Sequence, residues 1–239
     1  MREVNILSDH EETCLAAAAW LCYHVAKRAT GGFSLAISGG STPDRFFEIL
    51  SQGSFAAAMP WKALQLFWVD ERCVPMDHAD ANFTSVAQRL LTKVPIAVRN
   101  IHRIPAEAGP YEGAAHYRET LRKYFGASAP VFDLVMLGMG TDGHVASLFP
   151  GHPALEAATD SAVPVIVSGG MSGVHPPVDR ITLTLPLLNR AKAAMFLVTG
   201  REKHEVVRAV LDDNDAVYPA SWIRNERTVW FLDERASEG

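Results

Sequence analysis

The chain has 239 residues, 48% hydrophobic and 21% charged, with 22 basic against 27 acidic side chains for a net charge of −5. That length allows one large α/β domain or two smaller ones, and the composition supports a sizeable core, which excludes the disordered and fibrous classes. With an acidic balance and no run of Lys or Arg to neutralise a phosphate backbone, no nucleic-acid partner is expected.

Ser8 and Glu11 have capping-box spacing, and Leu15, Ala18, Ala19 and Cys22 recur on one face, which predicts an amphipathic helix over 9–28. The apolar run Cys14–Cys22 is nine residues long and follows an acidic stretch. A bilayer span needs about 20, so neither a membrane segment nor a signal peptide is expected. Cys14 and Cys22 fall about 12 Å apart by helical rise, too far for a disulfide, and Cys73 is alone. This usage points to a reducing cytoplasm.

The next elements are a strand over 33–38, a helix over 44–50, a strand over 64–69, and helices over 81–91 and 111–125. Strands follow over 132–138, 162–167, 181–185 and 194–199, then a helix over 202–211 and a strand over 228–232. Several strands are apolar on consecutive residues, as strands buried on both faces are, and strands mostly alternate with helices. The implied class is α/β with a largely parallel sheet. The Pro/Gly-rich stretch 168–177 reads as a long loop, functional or disordered. With no repeat or low-complexity linker, residues 1–239 are taken as a single α/β domain.

The chemistry gathers just beyond predicted strand ends, the edge where open α/β sheets bind ligands. Ser38-Gly39-Gly40-Ser41-Thr42 joins a strand to a helix, with Pro43 suited to the first helical turn. Such a turn presents backbone N–H groups to an anion, most plausibly phosphate; the alternative is a tight turn capped by Thr42. The glycine–lysine spacing of a P-loop is absent. Asp70-Glu71-Arg72 follows Leu66–Val69 as a charged loop, where a guanidinium can bind phosphate or carboxylate, or the residues simply form a salt-bridged strand end.

Gly138-x-Gly140-x-x-Gly143 matches a dinucleotide turn formally, but Pro150 cuts short any helix behind it and the motif lies mid-chain. Its distinguishing part is Asp142-Gly143-His144: an imidazole that can take and return a proton, with a neighbouring carboxylate able to fix its tautomer. The alternative is a capping or core histidine. The other eight histidines carry less information, and none has HExxH or CxxC-type partners, so no metal site is expected. Ser147 lacks a nucleophile elbow and reads as a helix residue. Lys203 and Arg180 are further cations able to clamp phosphate, or ordinary surface charges. Arg180 precedes its strand, so it reaches the same edge only if that strand runs antiparallel or its loop folds over.

Together, Leu35–Pro43, Trp68-Val69-Asp70-Glu71-Arg72-Cys73-Val74-Pro75, the signature Gly138–Gly151, Arg180–Thr184 and Pro219-Ala220-Ser221 resemble the 6-phosphogluconolactonase family over about residues 30–225. The resemblance implies a Rossmann-like three-layer α/β/α fold, related to glucosamine-6-phosphate deaminase and ribose-5-phosphate isomerase. It implies hydrolysis of 6-phospho-D-glucono-1,5-lactone to 6-phosphogluconate in the oxidative pentose phosphate pathway, without metal or organic cofactor. Carried onto matching positions, His144 transfers the proton, and Gly39, Gly40, Ser41 and Thr42 face the phosphate. Arg72, Arg180 and Lys203 bind anionic groups, and Asp70 and Asp142 line the site. On this reading neutral His144 deprotonates the water attacking C1 and returns the proton to the ring oxygen, while Arg72 or glycine-turn N–H groups hold the oxyanion. The expected partner is a small phosphosugar lactone, with no nucleic acid or membrane, on a monomer or small homo-oligomer.

Two other readings remain. A sugar-phosphate deaminase/isomerase shares the phosphate loop and the His turn, but its asparagine and glutamate after the histidine are replaced here by Ser147-Leu148-Phe149-Pro150. A phosphosugar sensor would keep the pocket without the chemistry, yet no DNA-reading module is visible.

Overall fold

From the amino terminus the elements run β1 (Arg2–Leu7), α1 (His10–Lys27), β2 (Phe33–Ile37), α2 (Ser41–Leu50), α3 (Gly53–Ala58), β3 (Leu64–Trp68) and β4 (Asp70–Arg72). Next come α4 (Asn82–Val86), β5 (Ile101–His102), α5 (Pro110–Phe125), β6 (Leu134–Leu137), β7 (Ala162–Val165) and β8 (Arg180–Leu183). The chain closes with α6 (Leu185–Arg190), β9 (Ala193–Val198), α7 (His204–Leu211), β10 (Arg227–Asp233) and α8 (Glu234–Glu238). This is a computed structural model, and it describes residues 1–28, 31–159, 161–167, 173–212 and 215–238. The first half of the expected loop over 168–177 lies outside the described residues.

Seven strands form one parallel sheet in the order β1-β10-β9-β6-β2-β3-β5. β2 and β6 are buried at every position, as their largely apolar sequences require. Helices flank the sheet in the Rossmann-like three-layer α/β/α arrangement. From β2 the chain proceeds outward through β3 and β5, whereas from β6 it proceeds the other way through β9 and β10. The turns leaving β2 and β6 therefore diverge, opening a crevice at the carboxyl edge of the sheet.

Several expectations change. Helix α1 is capped by the Asp9 carboxylate, which accepts from Glu12 N at 2.9 Å, rather than by a Ser8–Glu11 box. Helix α2 starts at Ser41, not 44, and the helix expected over 81–91 widens into a π-helical stretch at Ala87–Leu91. Strands were not expected at β1 or at the two-residue β5, nor helices at α3, α6 and α8. Leu185 opens α6 instead of ending a strand.

The largest change concerns Asp70–Arg72, which is a strand rather than a loop. It forms a second, antiparallel sheet in the order β4-β8-β7, which also takes the strands expected over 162–167 and 181–185. Charged residues tolerate this burial because each finds a tertiary partner: the Glu71 carboxylate accepts backbone N–H groups of Arg72, Asn82 and Phe83 at 2.7–2.8 Å. Burial nevertheless pushes its carboxyl up to about 7, with those N–H groups opposing.

Cys14 and Cys22 are buried and Cys73 half-buried, all free thiols, and burial pushes the first two up to about 12 and about 11. No described helix is long and apolar enough to cross a membrane.

The step from one sheet to the other is held by Tyr117. β5 pairs only with Leu66 and Phe67, so the Trp68 backbone on that side has no strand partner. The fully buried Tyr117 hydroxyl takes its place, accepting from Trp68 N at 3.1 Å and donating to Trp68 O at 2.8 Å. Tyr117→Phe strands both backbone groups and is expected to lower unfolding stability by about 1–3 kcal/mol, read by urea denaturation with an unchanged slope.

Candidate active site

Residues on or beside five strands converge on one cleft of about 310 Å³. Gly39, Gly40 and Thr42 from the β2–α2 turn line it, with Asp70 and Arg72 from β4, His144 from the turn after β6, Arg180 at the start of β8, and Lys203 after β9. Ser41 opens α2, and its side chain lies outside the described residues. Asp142 does not line the cleft; it reaches His144 from behind.

Gly40 precedes α2 and no side chain caps that helix, so Thr42 is not the cap and the first-turn N–H groups are left to a ligand. Gly39 is required by a neighbour: a Cβ there would stand 2.1 Å from the Asn82 Oδ1.

On β4 and β8, Arg72 and Arg180 are directly opposed across the antiparallel ladder. Like charges in that position repel, and an anion between them relieves the repulsion. Arg180 is only 3% exposed, its Nη2 donating to His175 O at 3.0 Å and Pro176 O at 3.2 Å, with the guanidinium over the Phe149 ring. Burial draws its pKa below the usual arginine range, an effect that Asp70 opposes and Arg72 reinforces. Arg72 donates from Nη1 to Asp80 O at 2.7 Å. The Nε of each arginine has no hydrogen-bond partner among the described residues. The antiparallel direction of β8 is what brings Arg180 to this edge.

The turn after β6 is built around a contact. Asp142 Oδ1 lies 2.5 Å from His144 Nδ1 and also accepts from His144 N at 3.2 Å. Burial raises the Asp142 carboxyl, but the bond and charge of His144 outweigh it and hold it below the usual carboxylate range. With Nδ1 engaged, Nε2 is the ring nitrogen left to exchange a proton. Gly140 N donates to His144 O at 2.9 Å, and Ala220 N to Gly143 O at 2.9 Å, so the Pro219-Ala220-Ser221 segment braces the turn. No helix follows the Gly138–Gly143 pattern. Ser147 is not helical either; it lies in a turn closed by the Val145–Leu148 bridge, with its hydroxyl fully buried.

Lys203 ends a single 3₁₀ turn, Arg201–Lys203, held through Gly200 N donating to the buried Asp233 carboxylate at 3.0 and 3.2 Å. Burial lowers its pKa, with Glu202 and Asp142 opposing. The sequence reading missed Asn82 and His175, which also line the cleft. His175 has no motif around it; Asn82, two residues past Asp80, gave no signal because its partners are distant in sequence. Among the described residues no group of three or more His, Cys, Asp or Glu is placed to hold a metal ion.

Fold and cleft define a Rossmann-like α/β protein with a cationic site at the switch point of its parallel sheet. The sequence pattern of the family described as glucosamine-6-phosphate isomerases/6-phosphogluconolactonase matches residues 8–230, and the chain belongs to that family. It is 38% identical over 221 residues to a 6-phosphogluconolactonase of Synechocystis sp., covering 90% of this chain and 86% of that protein. It is 37% identical over 249 residues to the Rattus norvegicus 6-phosphogluconolactonase, covering 98% and 92%. The crystal structure of 6-phosphogluconolactonase from Leishmania guyanensis superposes with a TM-score of 0.85 at 28% identity, covering 100% of this chain and 98% of that one.

A Cβ on Gly140 would stand 2.1 Å from His144 Nδ1 and 2.4 Å from Asp142 Oδ1. Gly140→Ala is therefore expected to separate the pair, seen by NMR as loss of the downfield Nδ1 proton signal expected of the wild type.

Proposed function

We propose that this protein hydrolyses 6-phospho-D-glucono-1,5-lactone to 6-phospho-D-gluconate, the lactone-opening step of the oxidative pentose phosphate pathway. The observation that carries the reading is His144, held by Asp142, at a cleft rimmed by three cations. The phosphate sits against the first turn of α2, with Arg72, Arg180 and Lys203 supplying positive charge. Asp142 holds His144 with Nε2 towards the cleft. Neutral His144 takes a proton from water as its oxygen bonds to C1, and the carbonyl becomes an oxyanion held by Arg72 or by glycine-turn N–H groups. Collapse breaks the bond from C1 to the ring oxygen, which receives the proton from His144, and the new carboxylic acid ionises.

Asp70 is the only carboxylate among the described residues lining the cleft, and the stretch after His144 is buried and apolar at Leu148 and Phe149. The deaminase/isomerase reading asks for a carboxylate there, so the lactonase reading is preferred. The free thiols and the substrate suit a cytoplasmic enzyme.

The test is hydrolysis of freshly made 6-phosphogluconolactone with the spontaneous rate subtracted and EDTA present. The wild type is expected to accelerate it, and His144→Ala to lower kcat by about 10²–10⁴-fold while 6-phosphogluconate still binds. Equal rates in both would remove His144 from the mechanism; ammonia release from glucosamine 6-phosphate, or binding without turnover, would replace the lactonase reading.

Lys203 adds a pH signature. Its lowered pKa means that the charge is lost, as pH rises, earlier than on an exposed lysine. Affinity for 6-phosphogluconate is expected to fall on the alkaline side, and Lys203→Arg to move that fall upward, as followed by titration calorimetry across pH.

A further inference from the structure

We propose that a chain of buried polar side chains, Thr182, Ser147, Asp70 and Asn82, sets the separation between the His144 turn and the phosphate-facing turn, with Ser147 and Asn82 as positioning residues for the reaction. The proposal rests on the lactonase reading above.

The chain is continuous. Thr182 stands opposite Asp70 in the β4–β8 ladder. Its Oγ1 accepts from Ser147 N at 3.2 Å and donates to Leu183 O at 3.1 Å. Ser147, in the turn immediately after His144, donates through Oγ to Asp70 Oδ2 at 2.6 Å. From the other side Asn82 Nδ2 donates to Asp70 O at 3.0 Å and Oδ1 at 3.4 Å. Only the nitrogen of the carboxamide can face those two oxygens, which turns Asn82 Oδ1 towards Gly39. There the oxygen has no hydrogen-bond partner among the described residues, and it fills the space that a Cβ on Gly39 would need. The segment carrying His144 is thus bonded through β4 to Asn82, which packs against the turn that faces the phosphate.

All four side chains are at most 5% exposed, and Ser147 and Thr182 are fully buried. A hydroxyl so enclosed cannot attack a substrate, so its contribution must come through what it holds. The lactone is gripped by its phosphate at one end and attacked at C1 at the other. Binding energy at the phosphate accelerates the reaction only when the two grips keep a fixed separation. A buried network whose donors are engaged is stiff, and Asp70 is its centre. Removing the Ser147 hydroxyl releases the His144 turn from Asp70; removing the Asn82 amide releases the phosphate-facing turn.

The experiment compares wild type, Ser147→Ala, Asn82→Ala and the double variant for kcat on 6-phosphogluconolactone, affinity for 6-phosphogluconate and melting temperature. Each single substitution is expected to lower kcat about 10- to 100-fold while affinity changes less than about threefold, because misplacement costs the attack geometry rather than the grip. The double variant is expected to lose no more than the worse single one, since both break one chain. Ser147→Cys, with similar volume and a weaker donor, replaces Ser147→Ala if the latter does not fold. Lower melting temperatures with unchanged kcat would make the chain purely structural, and raised KM with unchanged kcat would make it a binding feature. Either result overturns the proposal, as do losses that multiply in the double variant. An inactive wild type overturns the lactonase reading and the proposal with it, whereas an active wild type with any of those patterns overturns the proposal alone.

Discussion

Everything at the site depends on the divergence between β2 and β6. They are neighbours in a parallel sheet, yet the chain winds away from them in opposite directions. Parallel pairing sends both carboxyl ends to one edge, and opposite winding prevents the following loops from covering each other. The Gly39–Thr42 turn and the Gly140–His144 turn therefore face each other across a gap. Strand β9 adds the Lys203 turn at the same edge, and β4, leaving β3 after a single residue, bends Asp70 and Arg72 over the gap from above.

The electrostatics of the cleft follow from where its charges are fixed. Arg72 and Arg180 oppose each other across a two-strand ladder, and Asp70 is the foremost counter-charge acting on Arg180. Lys203 looks towards Glu202 and Asp142. Positive charge is thus split between two walls, each partly offset by a carboxylate. An empty cleft is held short of strong self-repulsion, and a doubly charged phosphate still finds more positive than negative neighbours.

Much of this was legible in the sequence, for a physical reason. The central strands of the parallel sheet are largely buried on both faces and write themselves as mostly apolar runs, and the Gly-rich and charged segments at their ends stand out by contrast. Arg180 was legible only conditionally, because its usefulness turned on a strand direction that no local pattern records. Asp70–Arg72 failed as a strand because three successive charged residues violate β propensity, and only tertiary donors such as Ser147 and the backbone of Asn82 make their burial tolerable. Asn82 stayed invisible for a related reason: what makes it matter is contact with Gly39 and Asp70, and neither its type nor its spacing announces that. The edge strand β1 alternates exposed and half-buried residues over a short length, a weak signal next to the helix that follows it.

That edge strand has a consequence for biosynthesis. β1 is made before the other strands of the sheet, and its partner there among the described residues, β10, is made after them. Until then Val4 and Ile6, exposed even in the finished fold, sit on a strand with neither edge paired. The central strands can assemble while translation continues, but β1 must wait beside them, and the nascent chain carries a sticky open margin until β10 is made.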